Sequence, residues 1–447
     1  MAVSTATSSS IPAGAKPLSL GVIFLTLIID LVGFSIIFPL FPAMLDYYVG
    51  HEGHAGLLGW LLGQVDSFAA LAGADPRYTP VLFGGLLGSL YSFLQFLTAP
   101  VWGRLSDRIG RRPVLLLTVA GTAVSYLLWF FAGSFWLLLV ARLIGGVMSG
   151  NLSVATAAVA DVTSRENRAR GMGLIGAAFG LGFIIGPGLG GLASAHDFIA
   201  RHPQLAGYGV NPFSTAALIA FGCCLLNLGW IYARFHETLT AETRAAAAAT
   251  PRVRHPLKAL FAIVDGRVRR ANLLYYLFAL SFSAVEFSLT FVAAERFNYT
   301  PRQMTAIFLF LGVGSIVTQG VLVRRLVPRL GERRVLLAGL AFMLVALFTL
   351  GFATTQPVFY AGLVALSLGS GFTNATISAL ISLYSGAGEQ GQVLGVFRSL
   401  GSLARAVGPI GGGLFYWWLG SRFLYALGGA LLLAPLALGL RLPQPEK

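Results

Sequence analysis

The stretch GLIGAAFGLGFIIGPGLGG, residues 173–191, has a diverged second copy in GVFRSLGSLARAVGPIGGG, residues 395–413. The two copies lie 222 positions apart in a chain of 447 residues, so one half of the chain repeats the other. Both copies sit inside long apolar runs. A repeated set of apolar segments predicts a doubled bundle of membrane helices, an organisation that is typical of secondary transporters.

The composition supports a membrane protein. The chain is 56% hydrophobic and 11% charged, whereas about a quarter of the residues of a soluble domain are charged. Lipid must therefore be its main solvent, and the backbone must satisfy its hydrogen bonds within helices or a closed barrel. Unbroken apolar stretches of about 20 residues without strict alternation favour helices.

Twelve such stretches occur, and they predict an all-α membrane protein of twelve transmembrane helices in two pseudo-symmetric six-helix bundles. The predicted organisation is a cytoplasmic tail at 1–17, an N-terminal bundle at 18–234, a cytoplasmic linker at 235–270, a C-terminal bundle at 271–440 and a tail at 441–447. A further apolar segment at 56–73 carries Gln64 and Asp66. We interpret it as a helix lying on the outer surface, because a crossing there would reverse the sidedness of every later span.

The charge distribution predicts the orientation. Of the 31 Lys and Arg residues, 23 fall in the tails, the linker and the loops of one face, five fall on the other face and three lie within spans. By the positive-inside rule both termini are cytoplasmic, and the protein is expected in the cell's inner membrane. The net charge of +14 is explained by this topology, so no nucleic-acid partner is expected.

Five ionisable residues lie within the predicted spans: Asp30, Arg142, Glu286, Arg398 and Arg405. Such groups are costly in lipid and mark functional sites by default. Asp30, near the midplane of span 1, is a carboxylate that could exchange a proton, and Arg142 in span 4 could modulate its pKa. Proton coupling requires at least these two groups. The alternative is a structural ion pair that only fixes spans 1 and 4 together.

Glu286 is a second candidate for proton coupling, or else a structural partner of an arginine. Arg398 and Arg405 lie on one face of span 11, and with Arg142 they outnumber the two acids. A shared cavity would then be slightly positive and favour anionic or zwitterionic substrates, unless Arg398 reaches the headgroups instead.

Four polar side chains on apolar helices can bind either a substrate or a neighbouring helix, with the helix the more frequent partner; they are Gln95, Asn151, Asn374 and Asn227. No metal or cofactor is expected, because the histidines lie outside the spans and HEGH at 51–54 has the wrong spacing for a zinc helix. With no nucleophile or phosphate-loop motif, an enzyme is not expected.

The loop GRLSDRIGRRPVL, residues 103–115, resembles the signature of the major facilitator superfamily. Three further segments agree with this resemblance: DLVGFSIIFPLFP at 30–42 with drug exporters, ARLIGGVMSGN at 141–151 with a span 4 motif implicated in proton coupling, and GFIIGPGLGG at 182–191 with an antiporter motif. The predicted helix bends combine proline with glycines that permit close packing; they comprise Gly186, Pro187, Gly190, Gly191, Gly408 and Pro409.

The resemblance also implies a cytoplasmic latch. Asp107 would cap the N-terminus of span 11, while the loop arginines engage Asp161 at the end of span 4. The implied latch residues are Gly103, Asp107, Arg108, Gly110, Arg111, Arg112 and Asp161. The corresponding loop of the second half has Pro328 at the position of the Asp, so only one half is expected to carry the full latch.

The segments at 394–409 and 145–162 are similar to the tetracycline-transporter-like branch of the superfamily. The usual Pro-Glu-Thr after span 6 is replaced here by His236, Glu237 and Thr238. We therefore predict a monomeric, proton-coupled antiporter that exports amphipathic organic compounds, tetracycline-like drugs or organic anions by alternating access. The alternatives are a proton-coupled symporter that imports a metabolite and, further off, a receptor or scaffold on the same fold.

Overall fold

The structure, a computed structural model, describes residues 19–53, 56–72, 79–163, 168–240, 244, 265–385 and 390–444. Within those ranges the regular secondary structure is entirely helical. The helices are α1 (Leu20–Ser35), α2 (Phe41–Glu52), α3 (Gly56–Ala72), α4 (Thr79–Ile109), α5 (Arg111–Phe130), α6 (Phe135–Met148), α7 (Asn151–Val162), α8 (Arg168–Ala193), α9 (Phe198–Arg201), α10 (Ser214–Arg234), α11 (Gly266–Phe297), α12 (Pro301–Val317), α13 (Val323–Leu330), α14 (Glu332–Phe352), α15 (Gln356–Tyr384) and α16 (Gln390–Leu440). Short 3-10 turns cover Phe38–Leu40 and Pro203–Tyr208, and a π turn covers Thr318–Leu322.

In the part of the chain that the structure describes, ten helices are long and apolar enough to cross a membrane. The last of them is the C-terminal part of α16. The 51 residues of α16 would extend about 76 Å at ~1.5 Å per residue, far more than the ~30 Å thickness of the hydrocarbon core of a bilayer. The excess is resolved at Gly420, where φ of 80° and ψ of 171° interrupt the helix. The predicted spans 11 and 12 therefore lie on either side of a glycine break in one helical segment.

Two predicted spans are broken rather than straight. Between α1 and α2 the chain passes through the 3-10 turn that contains Pro39, which cannot donate an intrahelical hydrogen bond. Between α6 and α7 the helix opens at Ser149 and Gly150. Side chains of α4 satisfy the carbonyls beside this opening: Gln95 Nε2 donates to Ser149 O at 3.2 Å, and Trp102 Nε1 donates to Val147 O at 2.6 Å.

Glycines bring the two halves of the chain into backbone contact. On α4, a side-chain carbon added at Gly85 would lie 2.7 Å from the carbonyl oxygen of Pro409 on α16. On α8, one added at Gly191 would lie 2.9 Å from the carbonyl oxygen of Pro301 and would overlap Thr305 of α12. These contacts lie toward the helix ends opposite the chain termini, so at that end the halves meet across glycine surfaces.

Within each half some of the other glycines of the repeated segments pack on the first helix. Gly186 and Gly190 of α8 lie against the backbone of α1 and of the turn that follows it, around Val32 and Ile36. Gly408 of α16 lies against Ser283 of α11. Pro187 and Pro409 both lie inside continuous helix. The two copies of the repeated segment thus occupy equivalent positions.

Some predicted boundaries and segments differ from the structure or lie outside it. The apolar segment predicted at 56–73 forms helix α3, which packs against α2 and α6. Helix α11 begins at Gly266, before the predicted start at 271, because Asp265 caps it by accepting a hydrogen bond from Arg267 N at 2.7 Å. The predicted tail at 1–17 and most of the linker lie outside the described residues.

Candidate functional site

A partly open cavity lies between the two halves, with about 670 Å³ of empty space that includes the solvent at its mouth. Its wall is mainly aromatic and aliphatic, with a small number of charged and hydroxyl groups, as is usual for small-molecule sites. The first half contributes Phe34, Ile37, Phe38, Phe41, Leu87, Gly88, Tyr91, Ser92, Arg142 and Phe183, and the second half contributes Ser283, Glu286, Phe287, Thr290, Phe308, Arg405 and Pro409.

Most of the aromatic residues of the wall belong to the first half, where four of them form a contiguous cluster. The ring of Phe34 lies 5.4 Å from Phe38, 6.0 Å from Phe183 and 4.9 Å from Tyr91, measured between centroids. Phe38 and Phe183 lie 5.5 Å apart. These separations fall in the range of favourable aromatic contacts, so the cluster offers a large apolar surface to a ring-containing molecule.

Arg142 of α6 is the cationic residue that the first half contributes to the cavity wall. It is buried, with 5% of its surface exposed. Its guanidinium lies 5.1 Å over the ring of Trp129 and within electrostatic range of three tyrosines. Its Nη2 has no hydrogen-bond acceptor among the described residues. A buried cation with an unsatisfied donor is costly, and an anionic group entering the cavity would relieve that cost.

Asp30 of α1 lies beside the cavity and not in its wall. Its Oδ1 accepts a short hydrogen bond from Asn151 Nδ2, at the first residue of α7 after the helix opening. In the described part of the chain, no ion pair joins Asp30 to Arg142. Tyr91, which is in the wall, lies within electrostatic range of both groups. The structure thus places Tyr91 near both the carboxylate of span 1 and the guanidinium of span 4.

Glu286 of α11 and Arg405 of α16 both lie in the second half's wall. The two side chains are within electrostatic range of one another, and Arg405 Nη2 also contacts Ser402 Oγ at 3.4 Å. The side chain of Arg398 lies outside the described residues. Of the five mid-span ionisable residues, three line the cavity, and Asp30 lies within electrostatic range of Tyr91 in its wall.

The remaining polar candidates lie away from the cavity wall. Gln95 binds the carbonyl of Ser149, as described above, and Asn227 Nδ2 donates to Thr26 O at 3.1 Å, so that each joins two helices. Asn374 is half-buried on α15. Within the described residues no group of three or more His, Cys, Asp and Glu side chains is arranged to hold a metal ion.

At the opposite end of α4, Arg111 is the centre of a charged cluster. It is 4% exposed and pairs with Asp107 at 2.7 Å and with Asp161 at 2.9 Å. Gly110, with φ of 109°, makes the sharp turn that brings α5 back beside α4. Gly103 and Arg108 flank the cluster on α4, with Arg108 exposed. The predicted capping of span 11 by Asp107 falls on the backbone before Gln390, where residues 386–389 lie outside the described part of the chain.

Two members of this cluster were not among the predicted site residues. Glu237, after α10, accepts hydrogen bonds from Arg111 N at 2.8 Å and Arg112 N at 3.1 Å, so its carboxylate caps the N-terminus of α5. Thr238 Oγ1 donates to Asp161 Oδ2 at 2.8 Å. The signal was present in the Glu-Thr pair after span 6, which kept its spacing while the preceding proline was replaced by histidine.

We expect Glu237→Gln to lower the free energy of unfolding by about 0.5–2 kcal/mol, since it removes a charged cap from the N-terminus of α5. Thermal unfolding of the purified protein in detergent should show a lower midpoint. His236→Ala is the matched control, because His236 is exposed beside it. An unchanged midpoint in Glu237→Gln would contradict a stabilising role for this cap.

An all-helical membrane chain whose two related halves enclose a cavity has the architecture of a secondary transporter. The sequence matches the Major Facilitator Superfamily profile over residues 23–409 and 274–447. The chain belongs to that superfamily, and the family resemblance of the loop at 103–115 is confirmed.

Individual relatives support the same class. Major facilitator superfamily domain-containing protein 10 of Bos taurus is 36% identical over 445 residues, covering 95% of this chain and 93% of the relative. The class E tetracycline resistance protein of Escherichia coli is 28% identical, covering 88% and 85%. The crystal structure of the human organic anion transporter MFSD10 (TETRAN) is 35% identical with a TM-score of 0.73, covering 94% and 98%. These relatives are transporters and not enzymes.

Proposed function

We propose that the chain is a proton-coupled antiporter that exports amphipathic organic compounds by alternating access. The observation that carries the proposal is the cavity between the halves, with its aromatic cluster and the buried, unsatisfied Nη2 of Arg142. A ring-containing compound with an anionic or zwitterionic head fits both features, because its ring meets Phe34, Phe38 and Phe183 while its head satisfies the guanidinium.

The relatives are consistent with this substrate class. One solved relative is described as an organic anion transporter, and several others are tetracycline resistance proteins. We extend that class to this chain because the cavity of the first half combines one cation with a large aromatic surface.

Asp30 is the proposed carrier of the exchanged proton. Its partner Asn151 begins α7 at the point where span 4 opens, and Arg142 lies on the preceding helix α6. Loss of the proton leaves a carboxylate whose interactions with Asn151 and, through Tyr91, with Arg142 differ from those of the neutral acid. Protonation can therefore bias the arrangement of α6 against α7, and with it the side on which the cavity opens.

The topology of the proposal has twelve spans. It counts α8 as a span and treats the segments before and after Gly420 as two crossings, in addition to the apolar helices described above. Both termini are then on one side, and the charge bias indicates that this side is the cytoplasm. The proposal further takes the protein to be a monomer in the inner membrane.

Binding of a defined probe tests the substrate cavity. Naphthalene-2-sulfonate carries one ring system and one permanent anionic group, and it should raise the thermal unfolding midpoint of the wild-type protein. We expect Arg142→Gln to weaken binding of the sulfonate on the order of 10- to 100-fold, because it removes hydrogen bonds between two charged groups. Arg302→Gln, at an exposed arginine outside the cavity, is the control. Unchanged affinity in Arg142→Gln would refute the proposed site.

Proton symport is the second candidate, and the positive wall is the observation that favours it. Arg142 and Arg405 face the cavity with one acid, Glu286. A cationic cavity binds an anion more tightly after its acid gains a proton, so the two tend to travel together. The direction of proton movement when substrate is added to sealed vesicles distinguishes the two candidates.

A further inference from the structure

The charged groups of the cavity are divided unequally between its two walls. The first half presents a cation alone, Arg142, whereas the second half presents a cation with an acid, Arg405 with Glu286. An anionic substrate that reaches both arginines must therefore compete with a carboxylate that belongs to the protein.

The packing of α11 on α16 fixes this arrangement. The contacts of Tyr275 with Gly401 and of Ser283 with Gly408 advance together along both helices, so the helices run parallel. Glu286 lies one turn after Ser283, and Arg405 lies one turn before Gly408. Their backbones are thus offset by about 9 Å along the axis at ~1.5 Å per residue. Both side chains line the cavity and lie within electrostatic range of one another.

We propose that a monoanionic substrate binds with its charged group between Arg142 and Arg405 and that this binding loads one proton onto Glu286. The inference rests on the proposed substrate cavity and adds a proton site to it that is separate from Asp30. Among the described residues, the other titratable groups near these charges are Tyr91 in the wall and, away from it, Asp30, Tyr126, Tyr48 and Cys224. None of them adds a positive charge that would keep Glu286 ionised beside a bound anion.

The proton balance is simple. When the anion occupies the gap, Arg405 is shared with the substrate, and a second negative charge stands beside the Glu286 carboxylate in a poorly solvated space. A proton from bulk water then binds a carboxylate oxygen of Glu286, and it returns to water when the anion leaves. No bond other than this O–H bond forms or breaks.

One consequence separates substrates by charge. An anion would bind together with a compensating proton on Glu286, while a neutral compound of the same shape would bind without it. The number of protons taken up on binding would then depend on the substrate's charge, although the cavity and the Asp30 cycle are the same for both.

The test is proton uptake on binding. Wild-type protein in weakly buffered detergent is mixed with naphthalene-2-sulfonate, which remains an anion at every pH used, and a pH-indicator dye reports protons taken from solution. The matched neutral probe is naphthalene-2-sulfonamide. Scanning from about pH 5 to pH 8, we expect uptake on the order of one proton per bound sulfonate at the optimum and none for the sulfonamide.

Glu286→Gln should bind the sulfonate without proton uptake, while Glu295→Gln, an exposed glutamate on the same helix outside the cavity wall, should retain the uptake. If Glu286→Gln does not fold, the wild type alone decides. Its affinity for the sulfonate should fall by up to about tenfold for each unit by which the pH is raised within the range where uptake occurs. Sulfonate binding with no uptake at any pH, or with an affinity independent of pH, overturns this inference alone. Absent binding, or binding insensitive to Arg142→Gln, overturns the proposed cavity itself.

Discussion

Asp30→Asn is expected to abolish proton-driven export while leaving the protein folded. The asparagine has nearly the shape of the aspartate and can still bond to Asn151, the first residue of α7, so the packing of α1 against span 4 should persist. It cannot bind and release a proton, however, and the charge change that biases the two conformations is lost. The substrate cavity, which Asp30 does not line, should remain intact.

The measurement uses sealed vesicles with an imposed pH gradient and a fluorescent amphipathic compound. Asp30→Asn should reduce gradient-driven transport to the level of protein-free vesicles, while binding of naphthalene-2-sulfonate in detergent is retained. Asp46→Asn is the matched control, because Asp46 lies on the same broken span but is exposed. Gradient-driven transport at the wild-type rate in Asp30→Asn would exclude Asp30 as the proton carrier.

Gly191→Leu is expected to prevent the halves from closing at the end opposite the chain termini. A side-chain carbon at this position would overlap Thr305 and lie 2.9 Å from the carbonyl of Pro301, so α8 and α12 would have to separate. Overpacking of this kind costs about 1–3 kcal/mol. The cost falls only on the state in which these helices touch, and it would shift a two-state equilibrium by roughly 5- to 150-fold.

Two readouts follow from Gly191→Leu. Transport should fall at least several-fold, since each cycle requires the closed state. In a background of Cys223→Ser and Cys224→Ser, Thr290→Cys in the cavity wall should react faster with an impermeant maleimide added from that end. Gly229→Leu, at an exposed glycine of α10 with no atom within 4 Å of the added carbon, should change neither. Wild-type transport with unchanged labelling would exclude this role for the glycine contact.

The helices were predictable from apolar length, whereas several of their ends and breaks were not. Helix α11 starts at Gly266 because Asp265 caps it, and its first turn carries Arg267, Arg269 and Arg270. A search for apolar residues passes over such a charged turn. The opening of span 4 at Ser149 and Gly150 was also missed, because side chains of α4 satisfy the carbonyls there, and those contacts are not written in the local sequence.

The ionisable members of the site were identifiable one by one, since each is conspicuous in an apolar helix. Their mutual arrangement was not, because a helix that is apolar on every side does not reveal which face meets its neighbours. Sequence reasoning paired Asp30 with Arg142, whereas the structure bonds Asp30 to Asn151 and places Tyr91 near both Asp30 and the guanidinium. Only the packing of α1, α4 and α6 could show this.

The latch illustrates the same limit. The resemblance of the loop implied contacts of its arginines with Asp161, and the structure contains the one made by Arg111. Glu237 escaped attention because it lies 126 positions from the backbone amide it caps, and its own segment has no regular structure that would set it apart.

The capping contacts of Glu237 and Thr238 have a mechanical consequence for the connection between the halves. They secure the segment that leaves α10 to the first half, so the tether to the second half starts near Thr240 and ends at Asp265, where α11 begins. Because these contacts hold that segment on the first half without help from the second, cutting the chain between Thr240 and Asp265 and co-producing the two halves should yield a working pair.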